Sequence, residues 1–232
     1  APLLAGALAA LVSVSTHAAP EGKPAWSYAG KTAPEQWGHL HPEFEVCAKG
    51  LRQSPIDIKP SGAAEANLPK LEFGYGRAAV SIVNNGHTIQ IDVPAGHTLR
   101  VGDASYRLLQ FHFHTPSEEA VGGRRTPMVA HFVHQDDAGR LGVVGLQIEV
   151  GASTSELHKV LEHMPLKAGE TLTVQGMELD LAALLPKRLD YYAFEGSLTT
   201  PPCSEGVRWM VLKQPVRVSA ANFKAFKRLY PD

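Results

Sequence analysis

The sequence predicts a single α+β domain dominated by strands, built around a large, twisted, mostly antiparallel β-sheet with short helices at its periphery. Three observations carry this. Apolar and polar residues alternate with period two over many short runs, the pattern of half-buried strands. Glycine and proline are frequent, at 21 and 17 of 232 residues, which suits many short strands and turns. Helical periodicity is confined to a few short segments late in the chain. The length fits one domain with a large core. A formal net charge of -1 provides no electrostatic footprint for nucleic acid or for an anionic membrane surface, so neither is expected as a partner. No internal repeat is present.

At the front, Ala1 to Ser15 is apolar and small, and Thr16-His17-Ala18 offers a small-x-small cleavage site. Residues 1–18 therefore read as a secretory signal peptide lacking its starting Met and basic front, with the domain over 19–232. A membrane anchor needs roughly 20 apolar residues. This run ends by about Ser15, so stable membrane insertion is not expected and export to the periplasm or beyond is. In an exported chain the two cysteines, Cys47 and Cys203, are expected to pair. A bridge closing a loop of about 155 residues stabilises by roughly 4–5 kcal/mol in the chain-entropy model.

Residues 19–55 carry Trp26, Tyr28, Trp37 and Phe44 among prolines and glycines without period, and read as irregular chain wrapping the surface. The strand-rich body begins at Gln53-Ser54-Pro55-Ile56-Asp57-Ile58. Runs at 79–83 and 87–93 alternate on either side of Asn84-Asn85-Gly86, a strong hairpin signal. Further strands are expected at 98–101, 106–114, 128–134 and 141–150, with Gly139 in the turn between the last two. A helix follows, started by a Ser153/Glu156 capping box, with Leu157, Val160, Leu161 and Met164 on one face. Asp180 to Leu185 reads as a short helix. Ser219 to Leu229 reads as another, striped by Phe223, Phe226 and Leu229.

The chemistry concentrates in Gln110-Phe111-His112-Phe113-His114-Thr115-Pro116-Ser117-Glu118-Glu119. On a strand, residues two apart point the same way, so Gln110, His112 and His114 share one face and Phe111 and Phe113 the other. Two imidazoles on a stiff strand make a bidentate site for a borderline metal such as zinc. A second run, Ala130-His131-Phe132-Val133-His134, can lie antiparallel to the first and supply a third nitrogen. Three protein nitrogens with an open position is the catalytic zinc arrangement; structural sites are closed by four ligands. Only one of His131 and His134 can face the pair, because residues three apart on a strand point oppositely. His131 shares its face with Val133, and an apolar neighbour suits a cavity floor, which favours His131.

With these stretches in view, the sequence resembles the α-class carbonic anhydrases of the secreted bacterial kind. The resemblance rests on Gln53 to Ile58, Asn84-Asn85-Gly86-His87, Gln110 to Glu118, Ala130 to His134 and Gly196-Ser197-Leu198-Thr199-Thr200-Pro201-Pro202-Cys203, continuing to Trp209. It covers roughly residues 26–230. It implies reversible hydration of carbon dioxide to bicarbonate and a proton by attack of a zinc-bound hydroxide, with weak esterase activity on the side and inhibition by sulfonamides and small anions. It implies His112, His114 and His131 as zinc ligands, which decides between His131 and His134. Thr199 then takes a hydrogen bond from the hydroxide and passes its own proton toward Glu118. Val133, Val143, Leu198, Val207 and Trp209 form an apolar pocket wall for an uncharged substrate, with Gln90, Gln110 and Thr200 on the polar side. Gln110 also holds the non-ligating nitrogen of His112. His87 is the implied proton shuttle, an exposed imidazole titrating near pH 6.5. A monomer or homodimer is expected. The other histidines, His39, His41, His97, His158 and His163, read as surface.

The sequence departs from this family in three places. Many members carry a Glu two residues before the third ligand, where this chain has Val129. His131 is then expected to donate to a water or a carbonyl instead. Glu119 follows Glu118 where the family often has a histidine, so the packing behind the site is expected to differ. The sequence stops at Pro231-Asp232, short of the family's C-terminal strand with its Asn-x-Arg-Pro pattern, whose backbone supports the second ligand, here His114. Two competing functions are weighed: a silent relative using the fold for binding, which usually lacks one or more zinc histidines, and a dedicated ester hydrolase, for which no Ser/His/Asp arrangement or substrate-recognition insertion is present.

Overall fold

Paired strands with alternating burial form one large sheet, and that sheet sets the positions of His112, His114 and His131. The computed structural model describes residues 25–231, so the leader read over 1–18 lies outside the described residues. Ten strands join in one sheet. They are β1 (Leu71–Gly74), β2 (Ser81–Asn84), β3 (Ile89–Asp92), β4 (Thr98–Val101), β5 (Ala104–His114), β6 (Met128–Gln135), β7 (Leu141–Val150), β8 (Thr171–Leu172), β9 (Tyr191–Ser197) and β10 (Glu205–Val218). Across the sheet they run β8-β2-β3-β5-β6-β7-β10-β9, with β4 pairing β5 and carrying β1 on its other edge. All neighbours are antiparallel apart from β7 and β10. That parallel pair fits its sequence. From Gly142 to Gln147 every residue of β7 is buried, the near-continuous apolar run of a strand covered on both faces.

The β2–β3 hairpin forms as its sequence predicts. Asn85 Oδ1 accepts from the backbone N–H of His87 and of Thr88, both at 2.9 Å, and Gly86 takes φ +87°. This turn of the Asx kind holds His87 at the end of the hairpin.

One face of the sheet carries the main core. Phe111, Phe113, Phe132, Ile91, Val144, Leu146, Met210 and Leu212 lie there, covered by α1 (Ser155–Glu162) and α2 (Ala220–Leu229) through Leu157, Val160 and Phe226. Phe111 stacks on Phe132 across the β5–β6 pair at 4.8 Å. Each such fully buried side chain contributes about 1.5–3 kcal/mol. The opposite face carries a smaller cluster of Ile58, Val143, Val207, Trp209 and Val211, and this is the functional face.

Several local expectations need correction. The cap of α1 is Thr154, whose hydroxyl accepts from Leu157 N, not Ser153. Glu156 therefore falls at the second helical position, too early to reach back to the cap. It accepts instead from Asp180 N at 2.9 Å and Lys159 Nζ at 2.8 Å. Within 180–185 the only helical piece is the 3₁₀ turn Ala182–Leu184. Leu179–Asp180 pairs as a strand with Arg77–Ala78, placing Leu179 in the core. The N-terminal segment is more than surface chain: Trp37 and Phe44 are buried, and Trp37 Nε1 donates to the carbonyls of Ser27 and Thr32. His97 is buried and accepts from Gly76 N, so it is not a surface histidine. No helix among the described residues is long and apolar enough to cross a membrane.

Candidate metal centre

The adjacent strands β5 and β6 place His112 directly opposite His131 in register, with His114 next along β5 on the same face. One ring nitrogen from each of the three lies within 4.8 Å of the other two. His134, three residues beyond His131, points to the other face. There it hydrogen-bonds Tyr75 Oη at 2.6 Å and the Gly142 carbonyl. The register thus puts only one of the two histidines on the face of the pair, and that one is His131.

A β-bulge in β5 makes this alignment possible. The pairing with β6 shifts between Leu108 and Gln110, leaving Leu109 exposed. Upstream of the bulge Tyr106 and Leu108 enter the main core; downstream Phe111 and Phe113 do. One extra residue flips the parity of the strand, so the even-numbered Gln110, His112 and His114 face the functional side.

The three imidazoles are held so that one nitrogen of each is left for a metal. His112 Nδ1 donates to Gln110 Oε1 at 2.9 Å, leaving Nε2 unengaged. His131 Nε2 lies 2.9 Å from Glu119 Oε1 and 3.2 Å from Oε2, and is hydrogen-bonded to the latter. Its Nδ1 therefore faces the cluster. His114 Nε2 is buried with no hydrogen-bond partner, an orphan that a metal would satisfy. Its Nδ1 lies 3.4 Å from Glu118 Oε1. Burial, reinforced by the neighbouring imidazoles, pushes His112 down to about 3 and holds His114 well below the usual imidazole range. Both are neutral at pH 7, the form that ligates metal. Burial also works against charge on His131, but Glu119 and Glu118 outweigh it and raise its pKa. The residues fit a cation that takes three imidazoles, and such a donor set suits zinc.

Glu118 sits beneath the cluster, with Oε2 3.7 Å from His131 Nδ1. Burial raises it to about 7, while the His131 charge and the Thr199 hydroxyl pull the other way. No hydrogen bond of ordinary geometry joins Glu118 and Thr199 among the described residues. Thr199 and its neighbours Leu198 and Thr200 stand on the loop between β9 and β10. That loop is tied down from several directions. Ser54 N donates to Ser197 Oγ at 2.8 Å and Ser197 N to Ser54 Oγ at 3.1 Å. Trp209 Nε1 donates to Ser197 O, Gln53 Nε2 donates to Cys203 O, and Cys203 is bridged to Cys47.

Around the histidines the pocket divides into two sides. His87, Gln90, Gln110 and Thr200 line a cavity of about 140 Å³ together with His112, His114, Trp26 and Tyr28. Val143, Val207 and Trp209 form the apolar cluster on this face, with Val133 and Leu198 packed against it. Trp209 and His131 meet edge-to-face, their ring centroids 4.9 Å apart. His87 is half-buried, not exposed as expected, because Trp26 stacks on its ring at 3.7 Å; burial lowers its pKa.

The sequence reading missed Glu119, Trp26 and Tyr28. It also expected His131 to donate to a water or a carbonyl, and the structure corrects this partner to Glu119. The Glu118-Glu119 doublet was the available signal, since an acid missing at position 129 calls for one elsewhere. For Trp26 there was no signal beyond an unassigned aromatic.

A family model described as eukaryotic-type carbonic anhydrase matches residues 32–232. The chain is 44% identical to a carbonic anhydrase of Neisseria gonorrhoeae over 204 residues, 88% of this chain and 79% of that one. It is 39% identical over 219 residues to a carbonic anhydrase of Pectobacterium carotovorum, 94% of this chain and 88% of that one. Among solved structures, the α-carbonic anhydrase of Thermovibrio ammonificans in complex with the inhibitor sulfanilamide superposes with a TM-score of 0.86 at 42% identity. That match covers 90% of this chain and 92% of the other.

Proposed function

The chain belongs to the eukaryotic-type carbonic anhydrase family, and on that footing we propose that it hydrates carbon dioxide reversibly to bicarbonate and a proton at a zinc ion held by His112, His114 and His131. The observation that carries the proposal is the trio itself: three ring nitrogens within 4.8 Å of one another, one of them a buried orphan, with the far nitrogens of His112 and His131 already engaged. Zinc in such a site supplies Lewis acidity that brings the pKa of water near 7, the reference value for carbonic anhydrase itself and not one obtained from this structure.

The chain's own groups then divide the work. Gln110 and Glu119 orient His112 and His131. With the centre loaded, the Thr199 hydroxyl would accept from the nucleophile and donate its own proton toward the buried carboxyl of Glu118, whose Oε2 has no hydrogen-bond partner among the described residues. Val133, Val143, Leu198, Val207 and Trp209 exclude water from one side and suit a substrate without charge. Thr200, Gln90 and Gln110 offer hydrogen bonds to a bicarbonate product. Proton export falls to His87 at the mouth of the cavity. At neutral pH its ring is uncharged and free to accept a proton, although burial lowers its pKa and makes it a weaker base than an exposed imidazole.

Sulfonamides and small anions are proposed as inhibitors, since the solved relative binds sulfanilamide, and weak ester cleavage as a side reaction of the same centre. Export is supported by the Cys47–Cys203 bridge. The decisive test is stopped-flow carbon dioxide hydration with zinc stoichiometry determined on the same sample. Fast hydration with about one zinc per chain is expected, and a low concentration of sulfonamide should abolish hydration and ester cleavage together. Zinc bound without hydration would overturn the assignment in favour of a silent binding relative.

A further inference from the structure

The carboxylate that engages the third histidine sits in an unexpected place. The resemblance leads one to look for it at position 129, two residues before His131 on the same strand and on the same face. That position is Val129, wholly buried, opposite His114 on β5 and Gln147 on β7. No acid can act from there. Instead Glu119, from the segment following β5, brings its carboxyl to His131 Nε2 at 2.9 and 3.2 Å. Its side chain is 0% exposed and that of His131 2%. Its neighbour Ser117 anchors this segment: Ser117 Oγ donates to the Glu119 carbonyl, Ser117 N donates to the Thr126 carbonyl, and Thr126 N donates to Ser117 Oγ. The carboxyl therefore arrives on a short, internally bonded loop and not on a strand.

We propose that Glu119 is the positioning residue for His131, taking over from position 129. A carboxylate only accepts hydrogen bonds, so it selects the tautomer with the proton on Nε2 and leaves Nδ1 as the donor to metal. It also balances part of the charge of a divalent cation in a buried site. Val129 and Glu119 are then a matched pair: the acid reaches His131 Nε2 from the loop, and an apolar side chain stands buried at position 129. This rests on the zinc-centre reading above. It adds that zinc retention depends on a residue outside the strand that carries the ligand.

The test is competitive zinc titration against a chelator, with wild type, Glu119→Gln, and Glu119→Gln combined with Val129→Glu. Glu119→Gln should bind zinc roughly 10–100-fold more weakly, and adding Val129→Glu should recover most of the loss, a rescue that a merely structural role for Glu119 would not produce. Equal zinc affinity in wild type and Glu119→Gln overturns the proposal. So does a folded double variant no better than Glu119→Gln. Imidazole nitrogen NMR of zinc-loaded wild type needs no variant. His131 should ligate through Nδ1 and show a strongly hydrogen-bonded Nε2–H, and ligation through Nε2 overturns the proposal. Wild type that takes up no zinc is a different result, and sinks the metal centre itself.

Discussion

The histidine trio and the Leu198–Thr200 loop meet at one site but are held by different means. His112, His114 and His131 stand on β5 and β6, interior strands of a ten-stranded sheet, with a hydrogen-bonded neighbour on each side of both. The loop has no ladder. It depends on the reciprocal Ser54–Ser197 bonds, on the Gln53 amide at Cys203 O and on the Cys47–Cys203 bridge. Cys203 also takes φ 57°, a left-handed conformation costing a non-glycine residue of order 1–3 kcal/mol. On the proposed function, the difference implies that metal retention and substrate activation have separable stabilities. Damage to the tethers should loosen Thr199 and leave the metal in place.

Removing a ligand breaks the sheet-borne half outright. His112→Ala or His131→Ala should lose zinc and bring hydration down to background, as metal analysis and stopped-flow assay would show. Full activity in metal-free buffer would sink the mechanism. Reducing the Cys47–Cys203 bridge attacks the other half. It should cost about 2–5 kcal/mol, lower the melting temperature and slow hydration, with zinc still near one per chain. A melting temperature unmoved by reduction would show that the bridge does not brace the fold.

A finer cut at the same tether is Gly196→Ala. A Cβ there would lie 2.2 Å from Ser54 Oγ and 3.0 Å from Trp209, so the Ser54–Ser197 pair must shift. Thermal unfolding should register about 1–3 kcal/mol, and wild-type stability would mean that the contact relaxes freely.

The smallest effect concerns the cavity mouth, which belongs to neither half. His87→Ala should slow turnover at low buffer concentration, with imidazole restoring part of it; no change in either would leave His87 a bystander. Trp26→Ala should raise the His87 pKa toward 6.5, followed by NMR titration. The sign is set by burial: the folded pKa lies below the unfolded value. Protonation therefore favours the unfolded state, and the penalty sets in as pH falls below about 6.5. Trp26→Ala should shrink that acid penalty.

Much of this was legible from residue order alone. The period-two runs marked β4 and β7 at their observed bounds, Asn84-Asn85-Gly86 marked the hairpin, and the three-residue spacing of His131 and His134 required that only one join the pair. Such features are local: alternation, turn chemistry and face parity are properties of a few consecutive residues. Capping was less secure: Ser153 has the capping-box spacing to Glu156, and only the path of the chain into α1 shows that Thr154 holds the cap. Trp26 on His87 and Glu119 on His131 join residues 61 and 12 apart in sequence, and no periodicity links them.

The sequence by itself determined the strand-rich class, the family and the pairing of the two cysteines, and through the family resemblance the histidine trio, since each rests on motifs of a few consecutive residues or on a count. Only the tertiary structure decided which carboxyl steadies His131, how far His87 is buried, and where the bulge turns β5 over so that its histidines face the site. The physical reason is common to all three. They depend on which distant segments the sheet brings within about 3–4 Å, and that is settled by register and packing across the whole domain.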